Sequence, residues 1–348
     1  MKICTTFASV KPKKKILLKD IAQEVGVSTA LVSYVLNNQK ENRISKEVAD
    51  KIRKVAKELN YQPNQIAKSL KMQKTHTIGL IVADIANPFS SQLARIIEDE
   101  AKKKGYTVIF GSSDENIEKL QGLINVLLNR QVDGFIIAAV DQSEAEIEQL
   151  DTNGVPFVLI DRYFPDKHFP YVAIDNYGAA FTAVSHLANR GRKKIGLITY
   201  ETSLFHLLER KRGYQAALLH ENLESDIHLV HEVTIDYTQQ DVKQGIRRLL
   251  LAESPVDALL FGSNTLAMYG LKAIRDLNIS IPEQVAVVTF DETDTHNLFY
   301  VSLTYIKQPL AEIGKQATEA LLKGLQEQKS LTLQVNLNAE LVVQKSSM

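Results

Sequence analysis

Near the N-terminus, hydrophobic positions recur at helical spacing. Leu18, Ile21, Ala22 and Val25 mark one face of a two-turn helix, which Gly26 ends at the position that favours a left-handed backbone. Ser28 is a good N-cap for a second helix, Thr29 to Leu36, whose apolar stripe is Leu31, Val32, Val35 and Leu36. A third helix is predicted from Ser45, with Val48, Ile52, Val55 and Leu59 inward and Lys46, Lys51, Arg53, Lys54 and Lys57 outward. From residue 77 the pattern changes. Short apolar runs recur at Ile78–Ala83, Thr107–Gly111, Gly134–Val140, Phe157–Ile160, Val172–Ile174, Ile195–Thr199, Ala258–Phe261 and Val285–Phe290. Helical periodicity lies between many of them: Gln92–Lys104, Lys119–Arg130, Tyr177–Arg190, Tyr214–His220 and Leu266–Leu277. Near-continuous apolar strands alternating with helices predict parallel sheets covered on both faces. Two such units, 77–175 and 176–307 with a crossover near the end, predict two lobes.

Charge divides the chain in the same place. The 41 Lys and Arg cancel the 41 Asp and Glu, so the formal net charge is zero. Residues 1–76 nevertheless hold 16 basic and 6 acidic residues, a net of +10, and the remainder carries −10. Such asymmetry points to a nucleic-acid or membrane arm on a separate body. The single cysteine, Cys4, excludes a disulfide framework and a cysteine zinc cluster. No apolar run approaches the roughly 18 residues of a membrane span, and residues 1–15 lack the apolar segment of a secretory signal. The chain is expected to be soluble and cytoplasmic, with no membrane association, no cofactor and no metal.

Two short helices joined by a glycine turn form a helix-turn-helix, in which the second helix enters the major groove and its first residues meet base edges. That geometry turns Thr29, Ala30, Ser33 and Tyr34 toward DNA and leaves Leu31, Val32 and Val35 for the core. A lysine-faced three-helix bundle without DNA function is the plainer reading, but turn spacing, caps and charge agree on the first.

The segments Lys19-Asp-Ile-Ala-Gln-Glu-Val-Gly-Val-Ser28, Val32-Ser-Tyr-Val-Leu-Asn37, Ile44-Ser45 and Leu59-Asn-Tyr-Gln-Pro-Asn-Gln-Ile-Ala-Lys-Ser-Leu70 resemble the LacI/GalR family of bacterial transcription regulators. The resemblance continues through Thr77 to Phe89, Val132-Asp-Gly134, Phe290-Asp291 and Ile306-Lys-Gln308. It implies four parts: a basic, disordered tail at 1–15, an all-α helix-turn-helix domain at 16–62, a hinge helix and linker at 63–76, and a periplasmic-binding-protein-like (type I) α/β core of two lobes at 77–348 that binds effector and dimerises. It places Leu70 as the apolar wedge of a hinge helix that folds on DNA, opening a base step in the minor groove. A nine-residue helix is too short to be stable alone, so folding on binding is the physical expectation. The DNA-contact set is then Lys19, Ser28, Thr29, Ala30, Ser33, Tyr34, Asn37, Asn64, Leu70 and Lys71. Two positions depart from the family pattern. Leu17 stands where a threonine commonly caps the first helix. Tyr34, with one hydroxyl, stands where arginine or histidine commonly reads a base.

In open α/β sheets, ligands bind beyond the carboxyl ends of the strands. Those positions hold Asp84, Asn87 and Phe89, then Asp161 and Arg162, then Ser263 and Asn264, then Asp291. Arg210-Lys-Arg-Gly-Tyr214 resembles the family element Arg-x-x-Gly-aromatic, whose arginine commonly contacts effector. These nine residues form the effector-binding set. Charged and amide groups beside an aromatic face suit a small polar ligand such as a sugar. The same residues have plainer roles: Asp161 and Asp291 as caps or salt-bridge partners, Phe89 as core, Arg210 as a surface ion pair with Glu209, Asn264 as a helix cap. His206 lies near the cleft mouth, where a lone histidine is more often structural.

The leading expectation is a homodimeric repressor that binds a pseudo-palindromic double-stranded operator, because one helix-turn-helix reads only a few base pairs and two copies read half-sites about 34–36 Å apart. A small-molecule effector, a sugar or its derivative, would control it by lobe closure. A solute-binding protein of a sugar transport system is the alternative that the core alone allows. The basic N-terminal segment argues against it. A sugar-processing enzyme lacks support, since no P-loop, HExxH, GxSxG or GxGxxG element is present.

Overall fold

The computed structural model describes residues 16–39, 43–62, 74–293, 298–327 and 331–348. The chain divides into two compact units, Met1–Gln73 and Lys74–Met348.

The first unit holds three helices, α1 (Leu18–Val25), α2 (Thr29–Leu36) and α3 (Lys46–Glu58). Gly26 takes φ 79° after α1, and its N–H donates to the Ala22 carbonyl. Ser28 caps α2 by accepting from the Leu31 N–H at 3.2 Å, and Ser45 caps α3 through the Val48 N–H at 3.4 Å. Leu17 supplies no side-chain cap. Its own N–H instead donates to the Asp20 carboxylate at 2.8 Å, so one half of the capping box survives. Ile21, Ala22, Val25, Val32, Val35, Ile52, Val55 and Ala56 form the core, with Leu31 half-buried at its rim.

The second unit is two α/β lobes. Lobe 1 contains β1 (Thr77–Val82), α4 (Pro88–Lys103), β2 (Thr107–Ser112), α5 (Ile117–Asn129), β3 (Gly134–Ile137), α6 (Glu144–Thr152), β4 (Phe157–Ile160) and β5 (Tyr171–Ile174). Lobe 2 contains α7 (Asn176–Asn189), β6 (Ile195–Tyr200), α8 (Phe205–His220), β7 (Val230–Val233), α9 (Thr238–Leu250), β8 (Ala258–Phe261), α10 (Asn264–Asp276), β9 (Ala286–Phe290) and β10 (Thr304–Lys307). The chain then returns to lobe 1, where α11 (Leu310–Glu327) packs on α4 and β11 (Gln334–Leu337) pairs with β5. It crosses once more, and β12 (Glu340–Val342) pairs antiparallel with β10. The sheet orders, β11-β5-β4-β3-β1-β2 and β12-β10-β9-β8-β6-β7, repeat one another. All pairings but that of β12 are parallel.

The expected two-lobe architecture is therefore observed, with three corrections. Beyond the link between the units at 175–176, two crossovers near the end join the lobes rather than one. One edge strand is antiparallel. The first lobe helix begins at Pro88 rather than Gln92, because Asn87 caps it and proline suits the first helical turn. Repetition of the lobes has a consequence for the site: the carboxyl ends of both sheets deliver equivalent residues to one cleft.

Candidate functional site: a polar cleft between two lobes

Asp161 and Asp291 stand at the same place in their lobes, one residue past β4 and one past β9. Each takes a left-handed backbone, φ 64° and 70°, which aspartate tolerates better than most residues. Each N–H still extends the ladder, to the Val172 carbonyl at 3.1 Å and the Ile306 carbonyl at 3.0 Å. The bend leaves both carboxylates buried, and both line the cleft. Neither is the N-cap residue of a helix, but Asp161 is a salt-bridge partner, its Oδ2 3.7 Å from Arg162 Nε.

Arg210 rises from α8 and is 3% exposed, which excludes a surface ion pair. Its Nε donates to Asn176 Oδ1 at 2.8 Å and its Nη1 to the Gly262 carbonyl at 2.7 Å, while the guanidinium lies 3.9 Å over the Phe290 ring. Glu209 pairs with Arg212 instead. Gly213 explains the glycine of the motif: a Cβ there would run into the Tyr177 carbonyl, so α8 approaches the start of α7 closely only without a side chain. Arg162 makes a bidentate pair with Glu115, two bonds of 2.6 Å, and also donates to the Ala139 carbonyl at 3.2 Å.

Two bridges join the lobes across the cleft. Asn87, the cap of α4, exchanges amide hydrogen bonds of 2.9 and 3.4 Å with Asn264 of lobe 2. Asp141, past β3, accepts from the Thr202 hydroxyl at 3.0 Å, the Ser203 N–H at 3.2 Å and the Ser203 hydroxyl. Burial works against the charge of Asp141, but these hydrogen bonds hold its carboxyl below the ordinary range.

The cavity is partly open to solvent and has a volume of about 200 Å³. Of the residues expected from the sequence, Asp84, Asn87, Phe89, Asp161, Arg162, Arg210, Ser263 and Asp291 all line it. Asn264 does not; it stands behind the wall, held by Asn87, and Ser263 rather than Asn264 caps α10. Glu115, Tyr200, Thr202, His206 and Gln308 line it as well and are absent from the expected set. The strand-end rule, applied to β2, β6 and β10, leads to four of these. His206 on α8 carries no such signal, and it is 5% exposed.

Electrostatics follow from burial. Desolvation, helped by Asp291 and Glu115 and opposed by Arg162 and Arg210, pushes Asp161 up to about 6. Burial also raises Asp291, against Arg210 and a 2.7 Å hydrogen bond from Gln308. His206 is driven well below its ordinary range by burial and then by the two arginines, so it is neutral. Among the described residues no group of three or more His, Cys, Asp or Glu side chains could hold a metal.

In the first unit, Lys19, Ser28, Thr29, Ala30 and Asn37 are exposed, and Ser33 and Tyr34 half-buried. The Asn37 amide donates to the Ser33 carbonyl at 2.8 Å, tying it to α2. Asn64, Leu70 and Lys71 lie outside the described residues, as do the tail and residues 63–73 of the hinge and linker.

A sequence pattern described as "Bacterial regulatory proteins, lacI family" matches residues 17–64, and one described as "Periplasmic binding proteins and sugar binding domain of LacI family" matches residues 75–341. The chain belongs to the LacI family. Among its LacI-family relatives is the ribose operon repressor of Halalkalibacterium halodurans, 31% identical over 95% of this chain and 96% of that protein. Solved structures include a transcriptional regulator CelR–cellobiose complex, with TM-score 0.70, 26% identity and coverage of 95% of this chain and 100% of that one. The lac repressor dimer bound to operator and the anti-inducer ONPF shares the fold, with TM-score 0.84, 24% identity and coverage of 96% and 100%. LacI-family members are transcription regulators rather than enzymes, and the helix-turn-helix sets this chain apart from solute-binding components of transport. Among the described residues no helix is long and apolar enough to cross a membrane.

Proposed function

We propose that the protein is a cytoplasmic repressor that binds a pseudo-palindromic operator as a homodimer and whose operator affinity is set by a small polar effector, a sugar or sugar derivative, in the interlobe cleft. One observation carries the reading: a single chain joins a helix-turn-helix, whose α2 start is open to solvent, to a two-lobed core with a cavity that mixes apolar surface with charged and hydroxyl groups. Residues 16–62 read DNA, 63–76 form the hinge, and 77–348 bind effector and dimerise. Thr29, Ala30, Ser33 and Tyr34 face base edges. Lys19, Ser28, Asn37, Asn64 and Lys71 hold the duplex, and Leu70 opens a base step. In the cleft, Asp291 and Arg210 bridge hydroxyls from lobe 2, Asp84, Asn87, Asp161 and Arg162 supply polar contacts from lobe 1, Ser263 closes the far side with Asn264 behind it, and Phe89 offers an apolar face. The operator-bound dimer and the cellobiose complex among its structural relatives support both halves of the proposal.

The test begins with selection of duplexes from a randomised pool by the full chain. Selected duplexes should share a two-fold symmetric motif, and a sugar that raises the thermal midpoint should change affinity for that motif. Recovery of unrelated duplexes at every salt concentration would reject the operator reading.

A further inference from the structure

Four of the buried polar atoms that lack a hydrogen-bond partner among the described residues belong to residues that line this one cavity: Asp161 Oδ1, Arg162 Nε, His206 Nδ1 and Gln308 Oε1. A buried polar group without a partner is costly, so a cluster of them marks where a ligand completes the bonding. Their chemistry constrains that ligand. Asp161 Oδ1 accepts only. Gln308 Oε1 accepts as well, because its Nε2 already donates to Asp291 Oδ1 at 2.7 Å and fixes the amide's orientation. Arg162 Nε donates. His206 is neutral, so Nδ1 is either a donor or an acceptor, set by its tautomer. The missing partner must therefore both donate and accept, as hydroxyl groups do.

Charge adds a second constraint. Asp84, Glu115, Asp161 and Asp291 line the cavity against two cations, Arg162 and Arg210. Arg162 is already matched by its bidentate bond to Glu115, and Arg210 is held by Asn176, the Gly262 carbonyl and the Phe290 ring. No lysine lines the cavity. A phosphoryl group brings acceptors and negative charge, the two things this wall already has in excess.

We infer that the effector is an uncharged polyhydroxylated molecule rather than a phosphorylated one, and that His206 is a specificity-determining contact to one of its hydroxyls. This rests on the effector reading above. It narrows that reading to one charge class and adds a buried lining residue from α8 of lobe 2.

The experiment is calorimetric titration of the full chain with D-ribose, D-glucose and cellobiose, and with D-ribose 5-phosphate and D-glucose 6-phosphate. At least one uncharged sugar should bind, and each phosphate should bind at least about 100-fold more weakly than its parent where the parent binds. Tighter binding of a phosphate than of its parent overturns the inference while leaving an effector site in place. Binding of no compound in either group overturns the effector reading itself. With the bound sugar, His206→Ala should weaken binding about 10–100-fold, and His206→Asn, which restores a polar atom near the Nδ1 position, should recover most of the loss. Circular dichroism and the thermal midpoint without sugar establish that both variants fold. Equal losses in the two variants, or wild-type affinity in His206→Ala, would remove His206 from the contact set.

Discussion

Asp161→Asn should make the ligand-free protein more stable and unable to respond to effector. The carboxyl sits at about 6 in the fold, against roughly 3.9 when unfolded. The folded chain therefore holds the proton more tightly than the unfolded chain, and stability falls as pH rises between those two values. Well above pH 6 the full penalty of the buried charge is present, about 3 kcal/mol; at pH 4.5 about 1 kcal/mol of it remains. Asparagine has nearly the same shape and no charge, so the substitution removes the penalty. The variant should gain about 3 kcal/mol at pH 7.5, roughly 5–10 °C in midpoint for a core of this size, and the gain should shrink to about a third at pH 4.5. Thermal denaturation of both full-length chains at the two pH values, at equal protein concentration, reads this directly. An asparagine variant no more stable than wild type at pH 7.5, or a gain that does not shrink on acidification, would refute the reasoning. Preference for a charged, incompletely bonded carboxylate at a cost in stability is the pattern expected of a binding group.

Other consequences are separable. Asp291→Ala leaves the Gln308 amide without its acceptor and should abolish the effector response while operator affinity in gel shift stays within about 3-fold; a retained response would place the effector elsewhere. Gly213→Ala forces α8 away from the Tyr177 backbone and should lower core stability by about 1–3 kcal/mol, read by urea denaturation, whereas Gly122→Ala, which meets nothing, should be neutral or stabilising. Leu70→Ala should weaken binding to the selected operator far more than to unrelated duplex; equal losses would remove the wedge role.

The alternation of strands and helices was legible because the central strands of a parallel sheet are apolar throughout, as in Phe157–Ile160 and Ala258–Phe261, each fully buried. Three of the four edge strands were not; the fourth, β2, was, because Val108, Ile109 and Phe110 form an apolar run. Val230–Val233, Gln334–Leu337 and Glu340–Val342 are short and half-exposed, and their mixed composition carries no run. The second crossover near the end was hidden with them, since only those pairings reveal it. Seven of the eight residues expected from strand ends reached the cavity because strand ends in doubly covered sheets have few places to go, and Arg210 reached it from α8. Asn264 missed by one residue: Ser263 took the cap, and the first helical position turned to Asn87. His206 was legible as a residue near the cleft mouth but not as a lining group, since a lone histidine on a helix is more often structural. The zero net charge likewise concealed two units of opposite sign.

The central claim is that effector in the cleft and operator on the helix-turn-helix act on one equilibrium. Linkage requires that each change the other's affinity by the same factor. The decisive measurement is a pair of titrations on the full chain: operator binding by fluorescence anisotropy with and without saturating sugar, and sugar binding by calorimetry with and without saturating operator. One factor, between about 5 and 150, is expected from both. A sugar that binds the cleft tightly and leaves operator affinity unchanged would contradict it.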